Sequence, residues 1–450
     1  MRPTYSEVEQ ALLGRWPETK LEPSLDRIRA LCSLMGDPQD AYPVVHLTGT
    51  NGKTSVSRMI DSLLRTMGLR TGCFTSPHLE SMTERISLDG EPLTPDLFVD
   101  AFADVAAYAQ IVDDSQPLPL SFFEVIVAMG YAAFADAPAD VAVVEVGMGG
   151  AWDATNVATG QVAVVTPIAV DHSRYLGDDA EDIAHEKAGI IKAGALAVIA
   201  GQEPSVADVL MQRVVDVGAT AVREGVDFSV ASRVPALGGQ MLTLQATAAT
   251  YDEVFVPLYG EHQAHNAAVA LAAVEGFIGG IEIDVEIVRE AFAAVTSPGR
   301  LEVVRRSPTI VLDAAHNPHG ASAAMQAVQE AFGFSPLIGV VGVMADKEVD
   351  EMLRIFEPVM AEIICTQNST DRAMPAHDLA DIADGIFGSE RVTTARRLDD
   401  ALEQAVGLAE AGGSSGEGIG SGGVLVTGSV VTVGEARVLL GVELPEGTSS

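Results

Sequence analysis

Cysteine is almost absent. The 450 residues hold three (Cys32, Cys73 and Cys365), widely spaced and with no Cys-x-x-Cys pair. This excludes a disulfide framework and a zinc ribbon, and suits a reducing cytoplasm. Basic residues are scarce too: 27 Lys and Arg face 63 Asp and Glu, a net charge of −36. Such a field repels nucleic acid and anionic lipid, so neither is expected as a partner, and a phosphate ligand needs a local positive site. No run of about 18 apolar residues occurs, and the first seven residues lead into no apolar segment, so neither a membrane span nor a secretory leader is expected. Internal repeats are also missing. What is present, 48% apolar and 20% charged residues, is ordinary for a globular protein and excludes disorder as the main state. The length allows two or three domains, of which two is the expectation, in a chain acting as a monomer.

From Tyr5 to Met35 apolar positions recur at helical spacing, interrupted by Pro17 and Pro23, which predicts two short helices. Strand-like runs then alternate with helical patterns: Val44 to Leu47, a helix through Met59, Leu63 and Leu64, Gly72 to Phe74, helices from Pro95 to Ala107 and Phe122 to Phe134, and Val141 to Val146. This is the signature of a parallel α/β sheet. From Ala219 to Val256 short β-rich stretches predict a small antiparallel addition, followed by helices at Gln263 to Phe277 and Val285 to Ala294. A second alternation starts after Ser297-Pro298-Gly299. The expected fold is therefore α/β: residues 1–296 as one domain with a parallel sheet and the small antiparallel addition, and residues 297–450 as a Rossmann-like domain. The Gly/Ser stretch from Ala411 to Gly423 reads as a disordered surface loop inside the second domain.

The strongest local signal is Val44-Val45-His46-Leu47-Thr48-Gly49-Thr50-Asn51-Gly52-Lys53-Thr54. A strand runs through a Gly-containing turn into Gly-Lys-Thr and a helix. There, backbone N–H groups cradle phosphates, a Lys reaches the outer oxygens and a hydroxyl meets Mg²⁺. The full G-x-x-x-x-G-K-[ST] pattern is not met, because Leu47 stands where its first Gly would be. Thr50, Asn51, Gly52, Lys53 and Thr54 are the candidate nucleotide residues. Other strand ends carry polar groups, where α/β sheets place ligands. Ser76-Pro77-His78 follows the second strand and by itself reads as a proline turn. Glu145 ends a buried strand, where a carboxylate is costly unless paired or bound to metal. His172 closes another strand; Mg²⁺ prefers oxygen, so chemistry alone reads it as packed or capping. Lys187 reads as exposed, Asn266 as a helix cap, and Asp313-Ala314-Ala315-His316-Asn317-Pro318 as a strand end with a capped helix.

Gly49 to Thr54 resembles the phosphate loop of the Mur ligase superfamily, ATP-dependent enzymes that join an amino acid to a carboxylate. Only 48 residues precede Gly49, too few for the nucleotide-sugar domain of Mur ligases proper, and the chain is similar to the folylpolyglutamate synthase and dihydrofolate synthase branch over residues 20 to 437. The resemblance implies ATP and two Mg²⁺ ions as cofactors, with Thr54, Ser76, Glu145 and His172 as metal ligands and Lys187 carbamylated. It implies Asn266 near adenine, Arg300 on phosphate, Asp313 near ribose and His316 near the incoming L-glutamate, with Ser429 among the substrate residues. The pterin of a reduced folate or dihydropteroate falls to Ser24, Leu25, Phe122, Phe123 and Asp153. Lys53, Lys187 and His316 would be catalytic. One position departs from the family: Ala151 stands where Arg is usual. The remaining alternative is a phosphate-loop NTPase serving as a regulatory or binding module, without ligation.

Overall fold

In the computed structural model the described residues are 2–17, 23–171, 173–177, 179–413 and 421–442. Val44–Thr48 lies in the middle of an eight-stranded sheet, between Val141–Glu145 and Gly160–Val165, and runs parallel to both. Its five residues are all buried, as expected for a strand covered on both faces. Val45 and Leu47 face a core shared with the helices Lys53–Thr66 and Glu261–Phe277. Val44 faces the opposite core, built with Tyr5–Leu13, Asp26–Leu34, Pro95–Ser115 and Phe122–Asp136. The chain leaves Val44–Thr48 toward Thr71–Phe74 on one side and later crosses to Gly160–Val165 on the other, so a crevice opens at the carboxyl end of Val44–Thr48. Open α/β sheets bind ligands at such a switch of direction.

Three details differ from the expectation. Thr220–Arg223, grouped above with the antiparallel addition, pairs parallel to Leu196–Ile199 and forms one edge of the main sheet. The antiparallel unit is Ser229–Ala236, Gly239–Gln245 and Thr250–Val256. The opposite edge is a short antiparallel extension, Ile86–Leu88 and Glu91–Pro92, which no sequence pattern signalled. The helix from Pro95 also continues to Ser115.

The second sheet has six strands in the order Glu302–Arg306, Thr309–Leu312, Gly423–Thr427, Leu337–Val341, Glu362–Cys365 and Val392–Thr394, parallel except for the first. Leu398–Gly413 is helical, so the predicted loop begins later than Ala411; its residues 414–420 lie outside the described part. Among the described residues no helix is long and apolar enough to cross a membrane.

Arg437, on the last helix Val430–Leu439, ties the two halves together. Its guanidinium is 4% exposed, donates to Glu80 Oε1 at 2.5 Å and also pairs with Glu302. Glu80 lies four residues past Ser76 and Glu302 two past Arg300, so this buried group sits between two candidate site loops. Removing the cation leaves the buried Glu80 and the partly buried Glu302 carboxylates facing each other. Arg437→Met is expected to destabilise the chain by about 3–5 kcal/mol, seen as a lower denaturant midpoint; an unchanged midpoint would show that the acids find other partners.

Candidate active site

The phosphate-loop turn needs glycine at two places. Gly49 has φ 146°, and a Cβ there would lie 1.9 Å from Thr166 Oγ1; Gly52 has φ 87°, and a Cβ would lie 2.7 Å from Asn266 Oδ1. The turn thus packs backbone against neighbouring side chains before opening the helix Lys53–Thr66. Lys53 Nζ donates to the carbonyls of Gly49 (3.0 Å) and Thr50 (3.3 Å), and Lys187 Nζ donates to the same Gly49 carbonyl at 2.8 Å. Lys187 is buried, contrary to the exposed lysine read from the bare sequence. Burial, with the Lys53 charge beside it, lowers its pKa to about 7. Burial also lowers that of Lys53, against the pull of Glu145.

Glu145 is 1% exposed. Thr54 Oγ1 donates to its Oε1 at 3.1 Å, while Oε2 is buried with no hydrogen-bond partner among the described residues. Burial raises its pKa to about 7 despite the charge of Lys53. Ser76 is buried beside it, in a loop whose Leu79, Glu80 and Ser81 N–H groups all donate to Glu84. His172, expected as a ligand, lies outside the described residues. Among those described, no three His, Cys, Asp or Glu side chains converge as a metal cluster. One carboxylate with hydroxyls suits Mg²⁺, which keeps several waters.

The second half closes over the turn. Asn51 and Asn317 exchange amide hydrogen bonds at 3.2 and 3.3 Å, and Asn51 Nδ2 also lies 3.0 Å from His319 Nδ1. Asn317 caps the helix Pro318–Ala331, accepting from Gly320 N, and donates to Asp171 at 3.0 Å. Lys347 Nζ donates to Asp171 at 2.7 Å, with His316 Nε2 3.6 Å from the same carboxylate. None of these contacts between the two halves was anticipated, although Asn317 was visible as a helix cap.

Two cavities result. One, of 790 Å³, is lined by Thr50 to Thr54, Ser76, Glu145, Lys187, Asn266, Arg300, Asp313 and His316. It therefore gathers every described residue expected at nucleotide or metal. Asn266 is not a cap: the helix starts at Glu261, and Asn266 Nδ2 donates to Gln263. Asp313 Oδ1 and Oδ2 accept the N–H groups of Ala315 and Leu301. The other cavity, of 430 Å³, is lined by Ser24, Phe123, Asp153, Ser429 and, again, Ser76 and His316. Asp153 is buried and accepts from Met148 N and Thr155 N, so it holds its own loop in shape. Leu25 and Phe122 are not brought to either cavity. Both pack in the first-half core, Phe122 beneath the Arg85 guanidinium. Ala151 lines neither cavity. Residues missed from the sequence include His262 and His319 in the first cavity and Arg372 in the second; Lys347, which with Asp346 matches a weaker family position, also lines the second.

The Mur ligase middle domain matches residues 123–274, and the Mur ligase glutamate ligase domain matches residues 299–430. A Mycobacterium tuberculosis dihydrofolate synthase/folylpolyglutamate synthase is 48% identical over 97% of this chain and 93% of that protein. The chain belongs to the folylpolyglutamate synthase/dihydrofolate synthase family. The solved structure of the M. tuberculosis folylpolyglutamate synthase complexed with ADP superposes with a TM-score of 0.95 at 47% identity, covering 98% of this chain and 99% of that one. E. coli FolC in complex with DHPP and ADP gives 0.84 at 26% identity, covering 98% of each. As a member of the folylpolyglutamate synthase/dihydrofolate synthase family the chain is an ATP-dependent, amide-forming ligase.

Glu145 supplies a test by stability. Its folded pKa lies above the ordinary 4.5, so the folded form holds a proton that the unfolded form releases, and stability falls as pH rises from about 4.5 to about 7. In Glu145→Gln that loss is absent. Its stability relative to the parent chain should therefore climb over this pH range while activity is lost; a flat difference between the two denaturation curves would contradict the assignment.

Proposed function

We propose that this chain adds L-glutamate to a reduced folate, and to dihydropteroate, through an acyl phosphate. One observation carries the proposal: a phosphate-loop cavity and a second, smaller cavity meet at Ser76 and His316. A nucleotide-hydrolysing module without ligation has no use for the second one. A carboxylate resists amine attack because of its charge. Moving the γ-phosphoryl of ATP onto it creates a good leaving group, and the α-amine of glutamate then attacks the acyl carbon, forming the amide and expelling inorganic phosphate. Positioning and charge neutralisation dominate such chemistry.

In this scheme Thr50 to Thr54 cradle the triphosphate, Lys53 and Arg300 hold its charge, and Asn266 and Asp313 frame the nucleoside. The buried, unpartnered Glu145 oxygen and the Thr54 hydroxyl fit a hard cation, so Thr54, Ser76 and Glu145 would hold Mg²⁺. When bound, Mg²⁺ supplies neutralisation of phosphate charge. Lys187, with a pKa near 7, keeps a neutral amine fraction at physiological pH, the form that adds carbon dioxide to become a carbamate. Ser24, Phe123 and Asp153 would flank the pterin, and His316 and Ser429 the glutamate. Division at residues 296 and 297, a monomeric state and a cytoplasmic setting complete the proposal; the three thiols are all buried.

Ligation is tested by supplying ATP and glutamate with either tetrahydrofolate or dihydropteroate and weighing the products. A product heavier by one glutamyl residue is expected from each acceptor; ATP turnover indifferent to glutamate, with no heavier product, would refute the proposal. Lys53→Ala should lower kcat by roughly 100-fold or more, as loss of a charge-stabilising donor does, and near-normal turnover would remove Lys53 from the phosphate site. Carbon-13 bicarbonate should yield a carbamate resonance that disappears in Lys187→Arg.

A further inference from the structure

Four Lys and Arg side chains line the second cavity: Arg27, Arg85, Lys347 and Arg372. Three are committed. Arg27 Nε donates to both oxygens of Glu124, at 3.0 and 3.2 Å. Arg85 donates to His78 Nδ1 and covers the Phe122 ring. Lys347 is 9% exposed against an equally buried Asp171, so parting them would strand two charges. Arg372 differs. It pairs with Asp346 through Nη2 alone, at 2.9 and 3.0 Å, and both partners are about half exposed. An exposed pair of this kind is worth little and exchanges partners cheaply. Nε and Nη1 donate to nothing among the described residues; both carboxylate-binding edges of the planar fork include Nη2, so an entering carboxylate takes the place of Asp346. The backbone beneath is fixed: Ala345 N donates to the Arg372 carbonyl at 2.9 Å, and Met344 bridges Ala373.

We propose that Arg372 receives the side-chain carboxylate of the incoming glutamate and is the residue that selects a dicarboxylic amino acid. This rests on the ligase function proposed above. The nucleophilic amine must lie at the wall common to both cavities, where His316 stands, and the α-carboxylate is one carbon away from that amine. The side-chain carboxylate is the far end of the molecule. Arg372 lines only the outer cavity, on the same second-half wall as His316, and offers the bidentate geometry that a carboxylate takes. A neutral side-chain amide would gain little there, since it carries no charge to replace that of Asp346.

The experiment compares L-glutamate with L-glutamine as acceptor amines, for the parent chain, Arg372→Met and Arg372→Lys. In Arg372→Met the KM for glutamate should rise roughly 10- to 100-fold, the size of a lost charged hydrogen bond, with the KM values for ATP and folate and the melting temperature unchanged. The preference for glutamate over glutamine should fall by the same factor, and Arg372→Lys should recover part of it. Glutamyl product formed by Arg372→Met with the parent chain's preference intact would overturn the inference while leaving the ligase function standing. A parent chain that forms no glutamyl product at all would overturn both.

Discussion

Two ammonium groups share one carbonyl oxygen. Lys53 and Lys187 both donate to Gly49, an arrangement that places two amines side by side in a buried place, where Glu145 and Asp171 offset the repulsion and the turn cannot move away. The tightness of the turn is what fixes it. Glycine at positions 49 and 52 lets the backbone press against Thr166 and Asn266, so the loop is shaped by strands and helices on both sides. The rest of the crevice is arranged around that concentrated charge, in a chain whose overall net charge is strongly negative.

The second half answers the same constraint from across the crevice. Its contribution near the turn is mostly neutral or paired: Asn317 against Asn51, and Lys347 against Asp171. Arg300 is the cation it brings to the first cavity. The two halves thus meet through amides and matched charges, leaving the unmatched positive charge for the anion that has to enter. His316 and Ser76 line both cavities, and in the proposed reaction the nucleotide's terminal phosphate and the acceptor carboxylate would meet there.

Much of this was legible in the sequence because it is local. A buried strand, a glycine turn and a helix starting at Lys53 follow one another within a few residues, and polar residues ending apolar runs point out Ser76, Glu145 and Asp313 one by one. What was not legible depends on pairing over distance. Thr220–Arg223 looks like the β-rich segment that follows it, and only its registry with Leu196–Ile199 assigns it to the main sheet. Leu25 and Phe122 carry apolar side chains that suit a pterin pocket or a core equally well, and packing decided for the core. Lys187 reads as a surface lysine on a short helix until the fold seals it against Gly49. The Asn51 and Asn317 pair spans 266 positions, beyond any periodicity.

The borders of the main sheet also have a consequence outside catalysis. One ends in the two-residue strand Glu91–Pro92, where proline withholds an N–H and glutamate adds charge; the other ends in Thr220–Arg223, only four residues long. Exposed strand borders invite neighbouring chains to extend the ladder, and such short, charged or proline-bearing finishes discourage it. So a sheet of eight strands, rich in valine, has borders that discourage a second copy of the chain from extending its ladder.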